Sequence, residues 1–101
     1  MNYCTVFDEN YYAKGRALIA SIQRWCGDSE IYVLDASTNQ DLQIPGVCLS
    51  RLLEVESPEL IIASTNRSHK EFMWTLASWF TWYLLNDGLD EICYVDADTF
   101  F

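Results

Sequence analysis

Basic residues, glycine and proline are all scarce in this chain, and each shortage argues against a class of protein. Six Lys and Arg stand against fifteen Asp and Glu, which gives the 101 residues a formal net charge of -9. This balance argues against a nucleic acid as the main partner, because a phosphate backbone requires clustered cations. With four Gly and two Pro, the chain has no linker, repeat or low-complexity segment, and residues 1–101 are predicted to form a single domain.

Histidine is scarcer still, and the cysteines lack the spacing of a metal site. The four cysteines form no CxxC pair, and the single histidine cannot complete a Cys and His set for zinc. Cys4 and Cys93 fall in predicted strands. We interpret both as small buried apolar residues rather than as partners in a disulfide.

Long apolar runs are also missing. No stretch approaches the roughly 20 apolar residues of a membrane-spanning helix, and no basic segment followed by an apolar one marks a signal peptide. The sequence therefore predicts a cytoplasmic protein with no transmembrane segment. Half of the residues are hydrophobic and 15% are aromatic, so the composition can supply a core.

The chain does contain a regular alternation of strand-like and helix-like segments. Strands are predicted at 2–7, 30–34, 47–49 and 92–96, and helices at 11–26, 40–44 and 68–86. Residues 51–65 are ambiguous, with a helix start indicated at 57–59. The alternation predicts an α/β fold, a parallel sheet with helices on both faces.

The expected strand order is third, second, first, fourth, as in nucleotide-binding sheets. The first and fourth strands are then neighbours, and ligands bind outside the carboxyl ends of strands at such a point. The turn Asp8-Glu9-Asn10 and the segment Asp96-Ala97-Asp98 are thereby expected to share one crevice.

Helix 68–86 carries the clearest end signals of the chain. Ser68 and Glu71 form a capping box, and Gly88 follows the helix; Gly27 is expected to end helix 11–26 in the same way. Apolar residues cover nearly the whole circumference of helix 68–86, which predicts burial on several sides. We therefore interpret its tryptophans as buried packing residues rather than a sugar platform: Trp74, Trp79 and Trp82.

Asp96 and Asp98 follow the last predicted strand and are spaced one residue apart. Carboxylates at i and i+2 on a strand point to the same side. Such a pair can hold a divalent cation while water and phosphate oxygens complete its shell. The pattern alone is weak, because short acidic pairs are common at strand ends and in loops.

Three segments resemble the amino-terminal half of a GT-A fold glycosyltransferase similar to family 8: Tyr3-Cys4-Thr5-Val6-Phe7-Asp8-Glu9-Asn10-Tyr11, Lys14-Gly15-Arg16-Ala17-Leu18 and Tyr94-Val95-Asp96-Ala97-Asp98. The segment from Asn66-Arg67-Ser68 to Glu71-Phe72-Met73-Trp74-Thr75-Leu76 looks like bacterial members of that group. The resemblance implies a Rossmann-like parallel sheet. It covers the whole chain but only about half of such a catalytic domain, so we expect a truncated piece that ends after the DxD motif.

The resemblance also implies a site for a nucleotide-diphosphate sugar such as a UDP-hexose. Asp96 and Asp98 match the DxD motif that holds Mn2+ or Mg2+, with Ala97 between them. In the turn after the first strand, Val6 would offer its backbone, Asp8 and Asn10 polar contacts, and Tyr11 a stacking face. Arg67 and Lys70, at the start of a helix, are a mild hint of a phosphate partner.

Each of these residues also has an ordinary structural role. Asp8 and Asn10 are common helix caps, Tyr11 suits core packing, and Arg67 and Lys70 suit a solvated surface. His69 is interpreted as a surface residue.

Two departures separate this chain from the family pattern. The Arg that the family carries on the helix before the DxD strand is replaced around there by Trp79 and Phe80. The family's histidine ligand and most of its acceptor site lie beyond the DxD motif, and no candidate nucleophile is visible here.

Three functions therefore stay open. The first is the donor-binding part of a transferase that acts on a glycan, lipid or protein acceptor. The second is an inactive module that serves in binding or assembly, with self-association through unburied apolar surface. The third is an unrelated phosphate-binding domain, which the lack of a Gly-rich turn after the first strand disfavours.

Overall fold

A computed structural model describes residues 1–37, 42–52, 60 and 68–97, with the backbone alone at 69 and 70. The described part contains four strands and two α-helices. In chain order they are β1 (Asn2–Phe7), a 3-10 turn (Glu9–Tyr11), α1 (Tyr12–Trp25), β2 (Glu30–Asp35), β3 (Cys48–Arg51), α2 (His69–Asn86) and β4 (Cys93–Tyr94). Neither α-helix is long and apolar enough to cross a membrane.

The four strands form one parallel sheet in the order β3-β2-β1-β4. The predicted order is therefore confirmed. Cys4 on β1 pairs with Tyr94 on β4 and with Tyr32 on β2. The last strand is shorter than the predicted 92–96, and only Val95 extends its bonding, donating its N–H to the Cys4 carbonyl oxygen at 2.9 Å.

The two faces of the sheet are covered by different helices, as the α/β prediction requires. Phe7 and Val33 point to the face where they pack with Leu18 and Ile22 of α1. Their chain neighbours point to the opposite face, because side chains alternate along a strand. On that face the strand residues Cys4, Val6 and Leu34 pack against Leu76, Phe80 and Leu84 of α2.

Helix α1 begins one residue later than predicted because a 3-10 turn precedes it. Asp8 caps that turn by accepting the Asn10 N–H at 3.0 Å. The helix ends at Trp25, and Gly27 follows it without the positive φ expected of a terminating glycine. The predicted helix end directly before Gly27 is confirmed, but Cys26 leaves the helix with φ -135°, so no left-handed glycine is involved.

Helix α2 has the predicted cap but not the predicted burial. The Ser68 hydroxyl accepts the Glu71 N–H, and the Glu71 carboxylate accepts the Ser68 N–H, while Gly88 adopts φ 115° past the end. Burial on several sides is wrong, since Trp74 and Trp82 are 63% and 58% exposed. The sheet covers one face of α2, and the two exposed tryptophans lie outside that face.

Of the remaining sequence predictions, some are confirmed and others are wrong. All four cysteines are free thiols, and Cys4 is buried, but Cys93 is exposed because it lies on an edge strand. The third strand runs over Cys48–Arg51 rather than 47–49. Residues 42–44 of the predicted short helix are not helical. Residues 40–41, the helix start at 57–59 and the His69 side chain lie outside what the structure describes.

Candidate functional site

The carboxyl ends of β1 and β4 lie side by side and carry most of the predicted site. β1 and β4 are neighbouring parallel strands with Cys4 paired to Tyr94, so the turn after Phe7 and the segment after Val95 leave the sheet at the same edge. Asp8 and Asp96 thus follow neighbouring parallel strands. Three predicted site residues are not described there: Asp98, Arg67 and the side chain of Lys70.

Asp8 is almost completely buried, at 3% exposure, at the point where β1 ends. Its Oδ1 accepts the Asn10 N–H at 3.0 Å, and its carbonyl oxygen accepts the Tyr11 N–H at 3.2 Å. Asp8 thus caps the 3-10 turn rather than the first helix, the role predicted for it and Asn10, because Tyr11 is the N-cap of α1 and makes no side-chain cap bond. This role holds the turn in one conformation, and Asn10 itself stays exposed beside it.

Tyr11 lies at the rim of this turn rather than in the core. Its side chain is 47% exposed, and the Nζ atom of Lys14 stands 5.3 Å from the ring centroid. The core-packing interpretation of Tyr11 is therefore wrong. Val6, by contrast, is buried on the α2 face, so its side chain cannot reach a ligand at the rim.

Asp96 is exposed, and Ala97 is half-buried against the α1-side cluster. Within residues 1–37, 42–52, 60 and 68–97, no three or more His, Cys, Asp or Glu side chains are grouped closely enough to hold a metal ion. Asp98 lies outside these ranges. Metal binding by Asp96 and Asp98 therefore stays a prediction.

Glu9 adds an acceptor that the sequence reasoning missed. Its Oε2 atom is buried and has no hydrogen-bond partner within the described residues. Buried carboxylate oxygens are normally paired, so this atom can accept a bond from a further donor. The signal in the sequence was its position between Asp8 and Asn10 in the turn.

A buried ion pair at the end of β2 was also missed. Asp35 is 2% exposed, and its Oδ2 accepts from Arg51 Nη1 at 2.8 Å. The same carboxylate accepts the N–H groups of Ser37 and Leu42 at 2.9 and 3.0 Å. The position of Asp35 at the end of a predicted strand was a signal for a polar site. Its partner Arg51 is sixteen residues away in the sequence, and only the pairing of β2 with β3 brings it close to Asp35.

This ion pair is connected to the β1 turn through one backbone hydrogen bond. Ala36, which directly follows Asp35, donates its N–H to the carbonyl oxygen of Phe7 at 3.0 Å. Phe7 immediately precedes Asp8. The Asp35 network therefore supports the backbone from which the candidate site begins.

These features define a parallel α/β domain with its polar residues collected at the carboxyl edge of the sheet. No protein-family model matches the chain, and no solved structure matches it. It is similar to the uncharacterized protein YfnD of Bacillus subtilis (strain 168), with 31% identity over 107 residues, 99% of this chain and 34% of that protein. Uncharacterized protein YfnF of the same strain is 29% identical over 106 residues, 98% of this chain and 35% of that protein. The chain thus spans about a third of the length of both relatives.

Proposed function

We propose that this chain is the donor-binding part of a GT-A fold glycosyltransferase similar to family 8. It binds a nucleotide-diphosphate sugar, a UDP-hexose in the first instance, through Mn2+ or Mg2+ held by Asp96 and Asp98. In a full-length parent the sugar passes to a hydroxyl of a glycan, lipid or protein. The observation that supports the proposal is the adjacency of β1 and β4, since Asp8 and Asp96 follow neighbouring parallel strands.

The charge of the chain explains why a cation belongs in this proposal. A net charge of -9 repels a diphosphate, and Asp96 at the edge of the sheet adds to that repulsion. A bound divalent cation inverts the local sign and lets carboxylates and phosphates share one site. The metal would also stabilise the charge of the departing diphosphate as a Lewis acid.

The remaining predicted residues divide between the nucleoside and the phosphates. The exposed ring of Tyr11 offers a stacking face to a base, and the turn around Asp8 and Asn10 offers polar groups to the ribose. Val6 contributes backbone alone, because its side chain is buried. Ala97 is assigned a backbone contact at the diphosphate, and Arg67 and Lys70 are assigned to the phosphates.

The test is a calorimetric titration of UDP into the 101-residue chain, with and without Mn2+. We expect binding that requires the metal and that Asp98→Ala abolishes. Asp90→Ala is the matched control, because Asp90 is exposed and precedes β4 at the opposite end of that strand. Equal losses in the two variants, or binding indifferent to Mn2+, would contradict the proposed site.

A second function, a non-catalytic module for binding or assembly, has its own supporting observation. It is the exposure of the Trp-rich face of α2, where Trp74 and Trp82 lie open to solvent. A folded chain that binds no UDP in either metal condition would favour this function over the first. Measurable sugar transfer by the purified chain would reject it.

A further inference from the structure

The outward face of α2 is an apolar surface of a kind that single domains rarely leave open. Trp74, Trp82 and Leu85 are all exposed on it. Its two threonines use their hydroxyls within the helix, since Thr75 donates to the Glu71 carbonyl oxygen and Thr81 to that of Ala77. The threonine hydroxyls of this face are therefore already bonded within the helix, and its exposed rings and methyl groups form an apolar patch of the kind that marks interaction sites.

Two shallow grooves divide this face on either side of the Trp82 ring. The first, of about 600 Å3, is lined by Glu71, Trp74, Thr75, Ser78, Trp79 and Trp82. The second, of about 450 Å3, is lined by Ala77, Ser78, Thr81, Trp82, Leu85 and Tyr94. Each groove has small residues at its centre and at least one tryptophan wall. Ser78 belongs to both.

The positions of the two exposed tryptophans are symmetric about Ser78. Trp74 lies four residues before it and Trp82 four residues after, about 6 Å along the axis in each direction at 1.5 Å per residue. At 100° per residue the two rings also lie on opposite sides of the Ser78 line. A surface with this arrangement is self-complementary, which is what a twofold interface requires.

The distribution of charged residues along the chain favours a second copy of the chain as the partner of this face. The chain has a net charge of -9, yet residues 72–86 contain no Asp, Glu, Lys, Arg or His. Two copies that met through most other surfaces would bring like charges together, whereas Glu71 is the one charged side chain among the described residues that line the two grooves. Depletion of charged residues with enrichment of aromatic ones is the composition of an interface core.

We infer that two copies of this chain pair through α2, antiparallel, around a twofold axis beside Ser78. In this arrangement the Trp82 ring of one copy enters the first groove of the other, beside Trp74 and Thr75. The Trp74 ring enters the second groove, beside Leu85 and Thr81. Both tryptophan rings and nearly all of the groove lining come from α2, and Tyr94 of β4 completes the second groove. The pairing stands independently of the proposed donor site.

The first test compares two exposed tryptophans that differ in location. Sedimentation or light scattering of the wild-type chain should give a dimer. Trp82→Glu should raise the dissociation constant by about 30-fold or more, as for a central aromatic anchor. Trp25→Glu is the matched control, because Trp25 is 65% exposed on α1 and should leave the dimer unchanged. A monomeric wild-type chain, or equal effects of the two substitutions, would overturn the pairing.

The second test locates the axis without weakening the interface. Ser78→Cys is introduced into a protein in which the exposed Cys48 and Cys93 are replaced by serine. Residues beside a twofold axis lie next to their own copies, so mild oxidation should crosslink this variant into dimers. The background protein, which keeps Ser78, should stay uncrosslinked. Dimers that fail to crosslink at this position would overturn the antiparallel arrangement around Ser78.

Discussion

Gly15 on α1 lies so close to the ring of Phe7 on β1 that a Cβ atom at position 15 would overlap three ring atoms. Gly15 is buried, and Phe7 is 1% exposed. The absence of a side chain thus sets the distance between α1 and β1 next to the turn that begins at Asp8. Glycine is used here for close approach, since α1 contains no residue of positive φ.

Gly15→Ala should therefore destabilise the fold. Overpacking a core costs about 1–3 kcal/mol, and the better helix propensity of alanine offsets about 1 kcal/mol of that. Because three ring atoms overlap at once, the cost should lie at the upper end of this range, and we expect a net loss of about 2 kcal/mol in the free energy of unfolding, measured by urea denaturation. Combining it with Phe7→Leu should recover part of the loss, because the smaller side chain removes the overlap.

Gly27→Ala provides the comparison for this substitution. A Cβ at position 27 would have the Gln23 carbonyl oxygen as its nearest neighbour at 3.5 Å, an ordinary contact, so its effect should be small. If Gly15→Ala were as stable as the wild type, the close packing of α1 on β1 would be wrong.

Arg51→Met should cost more than a typical surface substitution. It leaves the buried Asp35 carboxylate without its cation, although the backbone donors of Ser37 and Leu42 remain. Breaking a buried pair by removing one partner costs about 3–5 kcal/mol. Because the Arg51 side chain is 20% exposed, we expect a loss of about 2–4 kcal/mol in chemical denaturation.

Arg51→Lys should be more stable than Arg51→Met, because it keeps a cation beside the Asp35 carboxylate, whose two oxygens also accept from Ser37 and Leu42. Arg24→Met is the matched control: Arg24 is exposed and contacts the Trp25 ring, and its loss should change stability by about 0.5 kcal/mol or less. Equal losses at positions 24 and 51 would show that the ion pair is not structural.

Cys4 should make the fold less stable at alkaline pH. Burial raises the pKa of its thiol, while the hydrogen bond with Thr81 lowers it to a smaller extent. The folded protein then holds the proton more tightly than the unfolded chain, where a thiol titrates near pH ~8.5. This contribution is complete below that pH, and stability should fall as the pH rises above it.

The measurement is the free energy of unfolding, taken from denaturation curves at pH values from 7 to just below 10. The upper limit matters because the pKa values of Tyr3 and Tyr32 are raised as well, Tyr3 by its hydrogen bond with Cys26 and Tyr32 by desolvation. Cys4→Ala should flatten the slope of stability against pH. Cys48→Ala, which removes an exposed thiol, should keep it, and a slope unchanged by Cys4→Ala would refute the assignment.

Local signals in the sequence predicted the fold well. The strand at 2–7 and the box formed by Ser68 and Glu71 depend on short-range patterns, and the strand order follows the pattern of nucleotide-binding sheets. Predictions that depend on which neighbour covers a residue were right for Cys4, which is buried, and wrong for others. Cysteine and tryptophan are common in protein cores, yet Cys93 lies on an edge strand and Trp82 on the outward face of α2, so both are exposed.

The candidate site was predictable only in part. Asp8 and Asp96 stand out in the sequence because each follows a strand-like run, and the observed strand order makes those runs neighbours. Their role toward a metal or a ligand stays a prediction. Arg51 was missed because a charge is matched to its partner by distance in space, and sixteen residues of chain separate it from Asp35. Glu9 was missed because the burial of one oxygen atom depends on everything packed around it.

By itself, the sequence determined the alternation of strands and helices, the capped ends of α2, the polar turn after β1 and the acidic charge. These properties arise from interactions between residues a few positions apart or from composition. Tertiary structure alone decided which face of α2 is covered, how close α1 approaches Phe7, and that Asp35 meets Arg51. Burial and ion pairing depend on distances between segments remote in sequence, which only the packed chain specifies.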